Sequence, residues 1–271
     1  MSEIFGSDAF SPKEIAARVE EVGVTKAHLP FLSMLMLSIL AGAFIGLGAL
    51  YFVIVKSDPT LGFAVRQILG GAVFSLGLIL VVVAGAELFT GNNLLAMAWA
   101  DGKISTLDVL RNWAIVCCGN FIGAAGLALL VYLSRHADMN HGAIAQEYLT
   151  IAAAKAAMPF WTAFFKGVMC NVLVCMAVWM AFAGRSVVDK VVAIIFPISA
   201  FVAAGFEHSV ANMYFFPLAM LLQGDGATAG AITWTGFFSN MLPVIMGNII
   251  GGSVLVGLVY HIIYRRASLP K

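Results

Sequence analysis

Residues 204–213, Ala-Gly-Phe-Glu-His-Ser-Val-Ala-Asn-Met, set a carboxylate, Glu207, beside an imidazole, His208, inside a long apolar run. Imidazole is the side chain whose unperturbed pKa lies near neutrality, so it can both take and give a proton at physiological pH. An ionisable group in hydrocarbon costs roughly 2.5–3.5 kcal/mol on insertion scales, so both side chains should face protein or a water path and not lipid. A related stretch occurs 120 residues earlier: Ala-Gly-Ala-Glu-Leu-Phe-Thr-Gly-Asn-Asn at 84–93. The two share A-G-x-E-x-x-x-x-N, with Gly85, Glu87 and Asn92 answering Gly205, Glu207 and Asn212. Glu87 and Glu207 recur in matching places, as polar ties capping broken helix ends would. His208 has no such twin, because Leu88 stands in its place, and that asymmetry marks it for a role in a pathway.

Positioning these residues is the task of a membrane domain. The chain of 271 residues is 61% hydrophobic and 11% charged, with a mean hydropathy of +0.96, far from soluble composition. Six spans are expected, at about 31–55, 67–99, 112–134, 159–183, 191–222 and 236–264, with the second and fifth broken at the polar stretches. An even number puts both termini on one side. Lys13, Arg18, Lys26, Lys103, Arg111, Arg185, Lys190, Arg265, Arg266 and Lys271 fall on that side, against Lys56, Arg66, Arg135 and Lys155 on the other. The positive-inside rule makes the termini cytoplasmic.

Two further echoes complete a duplication: Gly-Asn-Phe-Ile-Gly at 119–123 with Gly-Asn-Ile-Ile-Gly at 247–251, and Lys26-Ala-His-Leu-Pro-Phe with Lys155-Ala-Ala-Met-Pro-Phe. Three echoes in one order divide the chain into halves, about 1–136 and 137–271. Each half carries three spans, an odd number, so the second enters from the opposite face. The expected fold is therefore an all-α membrane protein of two inverted three-helix repeats, whose broken helices line a central path. Residues 1–30 form an amphipathic N-terminal segment, with a Ser11-Pro12 helix start and Glu14 three places on; it has no apolar core of the kind a secretion signal carries. Residues 31–264 form the channel domain and 265–271 a cytoplasmic tail.

Net charge of +1, spread over span ends, gives nucleic acid no basic patch. Cys117, Cys118, Cys170 and Cys175 lie in apolar spans without metal spacing and read as packing residues; no metal and no cofactor is expected. An enzyme would need a constellation such as H-E-x-x-H, and His136, His141 and His261 lie outside or at the ends of spans. His28 stands near the membrane surface, where a lone histidine is usually just solvated.

Glu-Leu-Phe-Thr-Gly-Asn-Asn, Phe-Glu-His-Ser-Val-Ala-Asn-Met, Gly-Asn-Ile-Ile-Gly-Gly and the 175–190 stretch Cys-Met-Ala-Val-Trp-Met-Ala-Phe-Ala-Gly-Arg-Ser-Val-Val-Asp-Lys resemble the formate/nitrite transporter family, most of all its bacterial formate channels. The resemblance covers nearly the whole chain. It implies an aquaporin-like protomer in a homo-pentamer of the bacterial inner membrane, carrying formate or similar small monovalent anions; nitrite and hydrosulfide are the alternatives, and Lys166 resembles the nitrite-type branch. It further implies that His208 is the central pore histidine, bonded by Thr90 of the loop that breaks the second helix. By the same resemblance Leu88 and Phe89 form a cytoplasmic constriction, and Phe74, Leu78 and Phe201 a periplasmic one. Asn171 and Asn212 lie near the path, Lys155 in the periplasmic vestibule, and the N-terminal segment against the cytoplasmic mouth.

Those residues suggest a mechanism. Lys155 concentrates anions before they desolvate, and His208 hands a proton to the carboxylate so that a neutral acid crosses the apolar rings. The alternative is a permanently neutral His208 that only donates a hydrogen bond. Lys26 takes in the first half the place of Lys155 and is expected near the cytoplasmic mouth, either serving anions or snorkelling at the interface.

Overall fold

The computed structural model describes residues 8–224 and 232–265, and among these every regular element is a helix. The Arg266–Lys271 part of the expected tail lies outside the described residues. Helix α1 (Pro12–Ala27) starts on a capping box in which Ser11 and Glu14 satisfy each other's backbone donors. It is followed by α2 (Phe31–Lys56) and α3 (Phe63–Gly85). After a non-helical stretch come a 3-10 turn (Gly91–Leu95) and the short α4 (Ala96–Ala100). The chain continues through α5 (Thr106–Leu133), α6 (Ala143–Ala156), α7 (Phe160–Ala183), α8 (Val187–Ala203), α9 (Ser209–Gln223) and α10 (Trp234–Tyr264).

Five of these, α2, α3, α5, α7 and α10, are long and apolar enough to cross a membrane. The expected span at 191–222 is two helices, α8 and α9, of 17 and 15 residues. Neither reaches across a hydrocarbon core of about 30 Å alone at 1.5 Å per residue. Both breaks fall at the polar stretches. Gly85 and Gly205 sit at φ +83° and +68°, a region that L side chains rarely adopt, so each helix stops there.

The Gly-Asn-x-Ile-Gly echo has a packing cause. A Cβ on Gly123 of α5 would lie 1.8 Å from the Ile39 carbonyl oxygen of α2, and one on Gly251 of α10 would lie 2.2 Å from the Val168 oxygen of α7. Each half therefore holds a backbone-to-backbone helix crossing that only glycine permits. Large apolar side chains such as Phe63, Leu107 and Phe196 cover the outside, as expected of helices facing lipid or a neighbouring subunit. Cys117, Cys118, Cys170 and Cys175 are all free thiols.

Candidate functional site

The two helix breaks meet at the centre, and each is held by one asparagine from the helix crossing behind it. In the first half, Asn120 Oδ1 accepts from the Phe89 amide (2.9 Å), while its Nδ2 donates to the Ser38 and Glu87 carbonyls (2.7 and 2.9 Å). In the second, Asn248 Oδ1 accepts from the Ser209 amide (3.0 Å), and its Nδ2 donates to the Gly167 and Glu207 carbonyls (2.9 and 3.0 Å). Buried backbone groups must be paired, and an unwound helix frees several at once. A carboxamide, with donor and acceptor on one planar group, can satisfy both kinds.

The carboxylates are tied the same way twice. Glu87 pairs with Lys26 Nζ at 3.0 Å and accepts from Asn92, whose Nδ2 also reaches Asn112 Oδ1; Asn112 then donates to the Lys26 carbonyl. Glu207 pairs with Lys155 Nζ at 2.8 Å and accepts from Asn212, whose Nδ2 reaches Asn240 Oδ1; Asn240 donates to the Lys155 carbonyl. Lys26 and Lys155 are thus not bare cations at open mouths. Each is joined to the glutamate of its own half, with side-chain exposures of 27% and 13%. Asn112, Asn120, Asn240 and Asn248 are not among the site residues the sequence singles out. The available signal was the shared offset, since 112 and 240 are separated by the same 128 positions as the Gly-Asn pairs.

His208 lies where the duplication fails. Its ring caps α9, Nδ1 accepting from the Ala211 amide at 3.1 Å, and Nε2 lies 3.0 Å from Thr90 Oγ1. An Nδ1 that accepts a hydrogen bond carries no proton, so the network assigns a neutral ring protonated at Nε2, which donates to Thr90. A proton on Nδ1 and the bond from Ala211 are mutually exclusive. The Phe201 ring stacks on the imidazole at 5.8 Å and Phe74 meets Phe201 edge-on at 5.7 Å. The Thr90 carbonyl is fixed by Asn171 Nδ2 at 3.2 Å, and Asn171 also reaches Asn93 and the Asn248 carbonyl.

Two cavities approach this centre from opposite sides and share no lining residue. One, of about 410 Å³, is walled by α1 through Val19, Gly23 and Lys26 and reaches Leu78, Glu87, Leu88 and Asn92. The other, of about 300 Å³, runs from Lys56, Glu147 and Lys166 past Lys155 to Phe74, Phe201, Glu207 and His208. Leu78 and Leu88 line the α1-side cavity, while Phe74 and Phe201 line the other. Phe89 and Thr90 line neither cavity, Phe89 facing Trp113 at 6.4 Å between ring centres. Asn171 and Asn212 are fully buried behind the break. His28 caps α1, its Nδ1 3.0 Å from the Val24 carbonyl oxygen, and lies outside both cavities. Helix α1 is latched in place: Glu20, wholly buried, is ion-paired with Lys103 and Arg265. Among the described residues no group of acids, histidines and cysteines could hold a metal ion.

The family model for formate/nitrite transporters matches residues 13–262. The uncharacterized transporter YrhG of Bacillus subtilis is 42% identical over 264 residues, covering 96% of each chain. Formate channel FocA of Escherichia coli is 37% identical over 278 residues, again covering 96% of each. A solved structure, a pentameric formate channel with formate bound, superposes with a TM-score of 0.80 at 37% identity, covering 86% of this chain and 97% of that one.

Proposed function

The chain belongs to the formate/nitrite transporter family, a multi-pass membrane protein and not an enzyme, and from that premise we propose that it is a channel for formate and similar small monovalent anions. In this reading α8 and α9 act as one broken span, giving six crossings in two inverted halves of an aquaporin-like protomer. The protomers assemble as a homo-pentamer in a bacterial inner membrane, with both termini cytoplasmic. The duplicated hydrogen-bond network supports the repeat, and the likeness to a pentameric formate channel supports the assembly.

The observation that carries the functional reading is the position of His208: it lines the Lys155-side cavity, stacked on Phe201 and within hydrogen-bond reach of Thr90 from the break of the other half. A bare carboxylate-sized ion moved into low dielectric has an idealised cost on the order of 20 kcal/mol. The leucine and phenylalanine rings offer no solvation to offset it. The Nε2–H of His208 is the donor available at the waist, and turning it from Thr90 to a passing anion exchanges one hydrogen bond for a charge-assisted one. Proton transfer asks for more. The imidazolium must carry its second proton, taken from solvent in the cavity that His208 lines, on Nδ1, so the ring has to release the Ala211 amide before it can give its Nε2 proton to formate and return to the neutral form. Losing an N-cap costs about 0.5–2 kcal/mol, small enough for thermal turning to supply. The relay is thus a cap that opens, with proton coupling present only when it does.

Uptake of labelled formate into proteoliposomes, with nitrite and hydrosulfide as competitors, tests the channel reading. Saturable formate entry inhibited by the other two supports it. Vesicles no more permeable than protein-free ones refute it.

A further inference from the structure

Lys166 and Leu37 occupy one structural position twice. The amide of Glu207 donates to the Lys166 carbonyl at 3.3 Å, and the amide of Glu87 donates to the Leu37 carbonyl at 3.2 Å. The next residues along, Gly167 and Ser38, offer their carbonyls to Asn248 and Asn120. Both side chains line the cavity of their own half. The frame is duplicated bond for bond, yet one copy carries an ammonium where the other carries an isobutyl group. Nothing in the backbone role demands a charge, because Leu37 performs that role without one.

The charge stands out because the other lysines of the cavity are bonded to partners. Three lysines and two glutamates line this cavity. Lys155 is joined to Glu207. Glu147 lies in the field of Lys56 and Arg66, and Lys56 is further bonded to Gln67. Lys166 takes part in no ion pair among the described residues and is half-buried. A cation in a recess with low-dielectric walls is screened less than one on an open surface and focuses its field along the recess.

We propose that Lys166 is the anion-capturing residue of the Lys155-side cavity, a specificity-determining site that draws small monovalent anions in before they reach His208, with Lys155 serving to hold Glu207. The inference rests on the channel reading above and adds a sidedness to it: capture by this device occurs at one mouth and not at the mouth of Leu37.

The test uses vesicles in which the protein is inserted in one orientation, with formate flux measured from each side as a function of concentration and salt. For entry from the Lys166 mouth, Lys166→Leu is expected to raise the half-saturating concentration roughly three- to tenfold at ~0.01 M ionic strength, where the Debye length is ~30 Å. The difference should shrink to less than about twofold at ~1 M, where that length is ~3 Å. Lys166→Arg keeps the wild-type response, and entry from the other mouth is unchanged. Leu37→Lys should confer a salt-sensitive gain at its own mouth, which tests the idea even where Lys166→Leu fails to fold. An unchanged half-saturating concentration at low salt in Lys166→Leu, or a fall in maximal rate alone, overturns the proposal while leaving the channel reading intact. Wild-type protein that carries no small anion removes both.

Discussion

Asn248 is the strongest test of how the break is held. Its carboxamide is fully buried and makes three bonds, to the Ser209 amide and to the Gly167 and Glu207 carbonyls. Asn248→Ala orphans the first amide of α9 and a carbonyl in the unwound stretch; Gly167 lies inside α7, so its oxygen forfeits only a second bond. Each buried orphan costs about 1–3 kcal/mol, and the vacated volume adds a smaller cavity penalty. A total of about 3–5 kcal/mol follows, which corresponds to a fall in Tm on the order of 10 °C for a chain of this size. Tryptophan fluorescence of the solubilised protein reads the transition, with the outward-facing Leu242→Ala, 60% exposed, as control. Formate flux should fall as well, because Ser209 adjoins His208 and the cap geometry loosens with it. Asn120→Ala should show a similar stability loss, since its three bonds are the same set in the other half. If Asn248→Ala melts within about 2 °C of the Leu242→Ala control, where the transition is this steep, the asparagines are bystanders and the account of the breaks is wrong.

Removing Lys155 alone by Lys155→Met strands a buried carboxylate and should cost about 3–5 kcal/mol, most of it recovered in the double variant with Glu207→Gln; Lys26→Met should cost less, because Lys26 is twice as exposed. Thermal unfolding of the four-member Lys155/Glu207 cycle measures the first, and the melt of Lys26→Met the second. Gly123→Ala forces α2 from α5 and should destabilise by about 1–3 kcal/mol or more. Gly126→Ala on the same helix, with no atom within 4 Å of its new Cβ, should be neutral or slightly stabilising, read in the same melts. Burial pushes the Glu147 carboxyl up, with the Lys56 and Arg66 charges pulling it back. On lowering the pH, Glu147 is neutralised before an ordinary carboxylate (about 4.3) and the cavity lined by Lys56, Lys155, Lys166 and Glu207 gains positive charge. The half-saturating anion concentration from that mouth should therefore fall on acidification before an ordinary carboxylate would titrate, and Glu147→Gln should abolish that part of the dependence; kinetics across the pH range decide it.

Much of this was legible in the chain because the repeat writes its constraints twice. The glycine that must turn a helix at positive φ, the carboxylate that ties the break and the amide that supports it recur at fixed offsets, and His208 stands out because Leu88 breaks the pattern. Gly-Asn-x-Ile-Gly is legible in the chain as an echo of the repeat, while the close helix crossing its glycines make is a matter of packing that only the structure shows. What stayed hidden was pairing. Whether Lys155 faces water or Glu207 depends on side-chain direction across 52 residues of chain, and no local period encodes it. The tautomer of His208 was likewise unreadable, since the Ala211 amide becomes its partner only once α9 begins at Ser209. Leu78 shows a finer limit: one helical turn from Phe74 along α3, it lines the α1-side cavity while Phe74 lines the other, and which side a residue serves depends on where the break cuts the path.

The central claim is that His208 gives up its cap on α9 to pass a proton to the anion at the waist. Current and pH change recorded together across formate-loaded proteoliposomes, in wild type and in His208→Asn, test it most directly. Asparagine still caps the helix through its oxygen and still offers an N–H to the anion, but it does not titrate. The account predicts proton movement with formate in the wild type, and formate current without proton movement in the variant. Proton flux that persists unchanged in His208→Asn would contradict it.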